Sequence, residues 1–345
     1  MIKKQGSSKD GCLRLFITAI LTTILFGIIQ VVLDMSILLS MVAALVIAVF
    51  ITARILGRPP IGVMIRNSLI AFVLFIFIGL GVGFLLNLLE PIPVETDVFT
   101  EEDTTEKNYV IEETDTIPIY TSKRNWRDNY GNSYAGNLSV RERDYLRLRN
   151  HLASYTPPGG PNFWGSLYDY IDRKDTPSLD LVIETFRNIN EQKRLNQMEF
   201  AEMVVSCIQD IPYSFVFQEE CLEPYYYEDS IRDILEDCPE CCIGNVAFGI
   251  QNPVSFIQNL KGDCDTRTVI IFSILKEFGY DVAILNSEFY RHSILGLNLP
   301  ASGLHKVYNG KKYVLWETTA KYFEIGHLSP NFNDVSHWSV VLTSK

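Results

Sequence analysis

The chain is predicted to be an α+β protein, with a thiol-bearing helix packed on an antiparallel sheet and three transmembrane helices ahead of it. Three observations lead there. Long apolar segments crowd the first quarter of the 345 residues. The tetrapeptide Gly262-Asp263-Cys264-Asp265 opens an apolar run from Thr266 to Phe278. Strand-like runs follow it, joined in one place by Asn309-Gly310, a dipeptide that favours a two-residue hairpin turn. The resulting division is a membrane anchor over 1–90, an acidic linker over 91–125, an extension over 126–195 and a catalytic core over 196–345.

The anchor is expected from segments 16–33, 35–53 and 68–89, each near the roughly 20 residues that cross a hydrocarbon core. Lys3, Lys4, Lys9 and Arg14 precede the first segment, and Arg54, Arg58 and Arg66 lie between the second and third. Two crossings separate these groups, so both are placed in the cytoplasm and everything beyond Leu89 outside it. A multi-pass cell-membrane protein with an extracytoplasmic catalytic domain is the expectation. The segments hold neutral polar groups such as Gln30, Ser40 and Asn87 but no ionisable interior, so anchoring is preferred to transport.

Residues from about 90 to 120 are acidic, rich in threonine and interrupted by Pro91, Pro93 and Pro118, a composition that reads as a spacer. The stretch from Trp126 to Tyr134 combines aromatic residues with turn-forming Asn and Gly. Thr176-Pro177 looks like an N-cap with proline at the first helical position, and Leu179, Ile183, Phe186 and Ile189 share a face. Asn196 with Glu199 resembles a capping box, and Ile211-Pro212 ends the helix that follows. Gly279 is placed as the C-cap of the cysteine helix. Asp281 to Leu285 begins strand sequence, and Trp338 to Thr343 closes the sheet.

A thiol at the first turn of a helix gains from the partial positive charge there, which favours thiolate. His292 opens the strand-like run His292-Ser293-Ile294-Leu295-Gly296, and Glu317 follows another, Tyr313-Val314-Leu315-Trp316. Nucleophile, base and orienting acid therefore occur in chain order on suitable elements, which points to acyl transfer through a thioester. The Cys264 backbone N–H is the first candidate oxyanion donor, and Gln209 and Tyr213 are candidates for the second. His305 lies in a competing strand near the same hairpin and rivals His292, whereas His151, His327 and His337 are assigned to packing or surface.

On these residues the chain resembles the transglutaminase-like superfamily of papain-like cysteine enzymes, over roughly residues 199–328. Gly262-Asp263-Cys264 with its apolar helix and Gly279-Tyr280 is similar to the nucleophile segment. His292 is similar to the base, and Trp316-Glu317-Thr318-Thr319 to an acid-x-Thr pattern in which Asp is more usual. Gln209-Asp210-Ile211-Pro212-Tyr213 resembles a segment upstream in bacterial members. The resemblance implies a papain/transglutaminase-like core with Cys264 as nucleophile, His292 as base and then acid, and Glu317 orienting the imidazole. Ser293 stands where an aromatic or small residue is usual.

Cys207, Cys221, Cys238, Cys241 and Cys242 precede the nucleophile. Disulfides are expected among them in an oxidising compartment. The alternative is a zinc site on Cys221, Cys238, Cys241 and Cys242, since Cys238-Pro239-Glu240-Cys241 has ligand spacing. No cofactor is expected. The partners expected are the membrane and a protein or peptide substrate outside the cytoplasm. No nucleic-acid partner is expected of a chain with net charge −11. The expected activity is cleavage or transfer of peptide or isopeptide amide bonds by a thiol-dependent peptidase, amidase or acyltransferase. The alternative is a non-catalytic transglutaminase-like receptor or scaffold.

Overall fold

The computed structural model describes residues 16–18, 20–27, 29, 37–57, 62, 99 and 103–345. The chain divides into two units, Met1–Pro93 and Val94–Lys345.

In the first unit, α1 (Ile37–Ile55) is 19 residues of nearly unbroken apolar sequence closing on Arg54. Such a helix rises about 28 Å, and the charge in its last turn shortens the uncharged part below the ~30 Å of a hydrocarbon core. Among the described residues no helix is long and apolar enough to cross a membrane. The expected three-helix anchor and the multi-pass location are corrected accordingly. Segment 68–89 and much of 16–33 lie outside the described residues. Within α1, the Thr52 hydroxyl donates to the Ala48 carbonyl at 2.8 Å and accepts from the Thr18 hydroxyl at 3.2 Å.

The second unit opens with an antiparallel meander of β1 (Glu106–Glu112), β2 (Asp115–Arg127) and β3 (Ser133–Arg141). The acidic spacer expected over 91–125 thus gives way to strand from residue 106 onward. Its physical reason is alternation: Ser122, Arg124 and Trp126 point inward while Lys123, Asn125 and Arg127 face solvent. The acidic, threonine-rich stretch that ends at Thr116 carried the spacer reading past β1 and into β2. The turn into β3 is stapled by Asp128, whose carboxylate accepts from Tyr130 N, Asn132 N, Asn132 Nδ2 and Tyr134 Oη.

Four helices cover the meander and lead to the core: α2 (Glu142–Ala153), α3 (Phe163–Asp175), α4 (Asp180–Lys193) and α5 (Gln197–Gln209). The expected start of α4 at Thr176-Pro177 moves to Asp180. Residues Thr176–Ser178 form a separate 3-10 turn, and the Thr176 hydroxyl donates to Asp172 at 3.0 Å instead of capping. The capping box on α5 forms: Asn196 Oδ1 accepts from Met198 N and Glu199 N, and Glu199 Oε2 accepts from Asn196 N at 2.8 Å.

After α5 the chain makes an excursion through β4 (Phe215–Val216), α6 (Asp229–Asp237) and β5 (Cys242–Ile243), with β4 and β5 paired in parallel. It returns through α7 (Pro253–Asn259) to α8 (Cys264–Glu277). The main sheet follows: β6 (Val282–Ser287), β7 (His292–Leu297), β8 (His305–Tyr308), β9 (Lys311–Trp316) and β10 (Ser339–Thr343). Its antiparallel order is β10-β6-β7-β9-β8. Asn309 and Gly310 join β8 to β9 with φ of 49° and 77°, the left-handed pair that such a turn demands. Helix α8 lies on β6 and β7, and Val269 through Leu275 are fully or almost fully buried between sheet and helices. A nucleophile-sized side chain at the start of α8 is thereby held at the end of β7, where His292 begins.

Candidate active site

Cys264 is the first residue of α8, and Asp263 before it accepts from Thr266 N at 3.1 Å, capping the helix. One turn further on, Arg267 is completely buried. Its guanidinium donates to the carbonyls of Gly262 (2.9 Å), Ile208 (3.0 Å), Ile211 (2.7 Å) and Pro212. These are the chain segments on either side of the thiol, so one side chain ties the end of α5 to the nucleophile loop. Burial lowers its pKa to about 10, which leaves it charged at neutral pH.

His292 Nε2 lies 2.9 Å from Glu317 Oε2. Phe332 and Trp338 flank the ring, with centroids 5.1 and 6.0 Å away. Glu317 Oε1 accepts from Thr318 N (2.8 Å), Thr319 N (3.0 Å) and Thr319 Oγ1 (2.7 Å). The carboxylate is thus fixed from its own backbone, and that accommodates the extra methylene of Glu. Burial opposes its charge, but His292 and Thr319 prevail and hold its pKa down at about 2. Burial also opposes charge on His292, yet Glu317, then Asp265 and Asp263, raise its pKa above the usual imidazole value.

Cys264 and His292 line one cavity of about 550 Å³. The expectation of a thiolate at rest is corrected. Burial, then Asp265 and Asp263, push the thiol pKa well above its ordinary value, and the Ser293 N–H donated to sulfur only partly offsets them. A helix-terminal partial charge is outweighed by desolvation and by two carboxyls on the same turn. Burial and Asp265 similarly raise Asp263 to about 7.

Ser293 has a clear task here. Its hydroxyl donates to Asp265, which also accepts from Tyr168 Oη at 2.8 Å. Asn286 on β6 donates to that same phenol at 3.0 Å, so α3, α8, β6 and β7 meet in one buried polar cluster. The cluster was missed in the sequence, although Asp265 and Ser293 each adjoin an assigned residue. Arg267 was missed too, although a cation in the first turn of an apolar helical run stands out.

The two candidate oxyanion donors separate. Gln209 Nε2 is committed to the Glu317 carbonyl (2.7 Å) and the Phe323 carbonyl (3.3 Å). Tyr213 lines the cavity, and burial together with Cys264 and Asp263 keeps its phenol protonated. His305 is exposed on β8, with Nδ1 at 3.0 Å from the Gly303 carbonyl, away from the cavity. A larger cavity of about 700 Å³ against β2 and β3 shares only Gln209 and Lys321 with the first and holds none of the three assigned residues.

The zinc alternative is corrected as well. Cys221 bonds Cys242 and Cys238 bonds Cys241, which consumes all four sulfurs; Cys207 and Cys264 stay free and buried. Among the described residues no cluster of His, Cys, Asp and Glu has metal-holding geometry. Disulfides fit an oxidising compartment. No family model matches the chain, and no curated protein or solved structure matches it.

Proposed function

We propose that the second unit is a cysteine enzyme that cleaves or transfers amide bonds of protein or peptide substrates through a thioester on Cys264. The observation that supports this most is the His292–Glu317 pair at 2.9 Å, opening onto the same cavity as a thiol at a helix start. With Nε2 engaged by Glu317, Nδ1 is the ring nitrogen left to exchange a proton with the thiol.

In this reading the resting thiol gives its proton to His292 as sulfur attacks the amide carbon. The imidazolium, stabilised by Glu317, then protonates the departing amine, and water or a second amine resolves the thioester. The Cys264 backbone N–H at the head of α8 and the Tyr213 hydroxyl stabilise the tetrahedral oxyanion. Because the thiol begins protonated, the imidazole must begin neutral, so reactivity rises with pH through the raised pKa of His292.

Iodoacetamide labelling of Cys264 across pH, with and without His292→Ala, tests the reading. The wild-type rate is expected to break upward above the usual imidazole pKa. The variant is expected to react about 100-fold more slowly at neutral pH, and only at pH values above those of an ordinary thiol. Identical profiles for the two proteins would remove the Cys–His pair and favour the non-catalytic scaffold.

A further inference from the structure

We propose that the Cys238–Cys241 disulfide is a redox-operated latch in the wall of the Cys264 cavity, and that its reduction opens access to the thiol. This rests on the reading of the cavity as an active site. It begins from a juxtaposition that the proposed chemistry does not use: both half-cystines and Cys264 line the same cavity.

The excursion carrying α6 has its own small core. Leu235, Cys238 and Cys241 are its buried members, separate from the main core, with Ile231, Phe215 and Tyr227 packed around them. Two of three buried side chains are therefore halves of one cystine. Ile231 and Ile234 of α6 line the cavity beside it. Reduction moves two sulfurs from bonding distance to van der Waals separation within a cluster of three buried side chains, and the packing around them has to accommodate it. The wall has to shift.

That shift has a route to the reacting atoms. The Cys241 carbonyl accepts from Phe215 N at 2.8 Å, and the Phe215 ring lies 5.2 Å from that of Tyr213. Cys238 is only 3 % and Cys241 only 2 % exposed, so a dithiol meets them when α6 and its flanking loops open locally. The chemistry is ordinary thiol–disulfide exchange with a dithiol. One donor thiolate attacks a cystine sulfur, the S–S bond breaks and a mixed disulfide forms. The second donor thiol resolves it. Two electrons and two protons pass to Cys238 and Cys241, and the donor leaves as its own disulfide. Cys264 takes no part and keeps its thiol.

The test is the iodoacetamide rate at Cys264 in the full chain, read from its own peptide by mass spectrometry before and after graded treatment with dithiothreitol. The rate is expected to rise at least 10-fold as the Cys238–Cys241 bond is reduced. A double variant, Cys238→Ser with Cys241→Ser, is expected to label fast without reductant and to ignore it. Cys221→Ser with Cys242→Ser is expected to keep the response, which assigns it to the shorter bridge. An unchanged rate after verified reduction would overturn the latch, as would a response that survives in the 238/241 double variant. If that variant does not fold, the graded reduction of the wild-type chain still decides. Labelling needs no turnover, so loss of the enzyme reading through an unaltered His292→Ala profile is distinguishable from loss of the latch.

Discussion

The cavity has two walls built on different physical principles. The wall that carries Cys264 on α8 and His292 on β7 belongs to the main core, where Val269 through Leu275 and Trp316 are sealed and a buried cation fastens four carbonyls around the thiol. The opposite wall, of α6 and its flanking loops, has a core of three buried residues and is closed by two disulfides. The first wall holds the groups assigned to chemistry and cannot move without losing many contacts at once. The second holds shape alone, and covalent bonds do there what burial does in the first. Order is thus strongest around the Cys264 thiol and weakest around α6.

The largest effect expected of any substitution is on the first wall. Cys264→Ala should abolish amide turnover, and His292→Ala should lower kcat/KM by about 1,000-fold, within the range general acid–base catalysis supplies. Cys264→Ala should leave the thermal midpoint nearly unchanged, whereas His292→Ala should lower it because the buried Glu317 carboxylate loses its charged partner. A midpoint drop in Cys264→Ala matching its activity loss would instead assign that residue to folding.

Arg267→Met is expected to cost about 3 kcal/mol or more of stability, since buried carbonyls lose a charged donor that no water replaces. Equilibrium urea unfolding checks it. The paired comparison is removal of Cys238–Cys241, whose ring spans a sequence separation of 3. Loop-closure arithmetic gives such a short ring about 2 kcal/mol, against about 3 for the longer Cys221–Cys242 ring. If the two walls are as different as described, Arg267→Met unfolds the whole unit. Loss of the cystine loosens α6 alone, visible as hydrogen exchange confined to residues near 229–243. Global loss of protection in both variants would erase the distinction.

The same contrast explains what was legible beforehand. The first wall is made of long periodic elements, so α5 with its capping box, the Asn309-Gly310 hairpin and the apolar body of α8 could all be read locally. The order of Cys264, His292 and Glu317 could be read too, and the structure brings the last two together and places the first in their cavity. The charge state of Cys264 could not be read, because it depends on desolvation and on the folded proximity of Asp265. The second wall has strands of two residues and a cysteine pattern that favours disulfides yet also has zinc-ligand spacing, and chain geometry separates those. In the meander, composition misled: acidic, threonine-rich sequence running into β1 and the start of β2 looked like a spacer. At the N-terminus, runs of apolar residues suggested three spans, whereas among the described residues no helix meets the requirement.

Burial also has a cost on α5, the helix whose end Arg267 ties to the nucleophile loop. Glu202 on α5 is completely buried. Asn129 N donates to its Oε1 at 3.2 Å, while Oε2 has no partner. Burial, followed by Asp128 and Glu324, raises its pKa to about 7. A carboxyl whose folded pKa lies above its unfolded value near ~4.3 binds its proton more tightly when folded. Its contribution to stability is therefore full below the unfolded pKa and is lost as pH rises through the folded one. Glu202→Gln removes that dependence. The variant should match the wild type at pH 4 and exceed it by about 3 kcal/mol at pH 8, measured as the shift in denaturation midpoint. Asp263 and Asp175, also raised to about 7, should keep part of the slope in the variant. Equal stability of the two proteins at pH 8 would mean that water reaches Glu202, and the ordered wall would then be less dry than its packing implies.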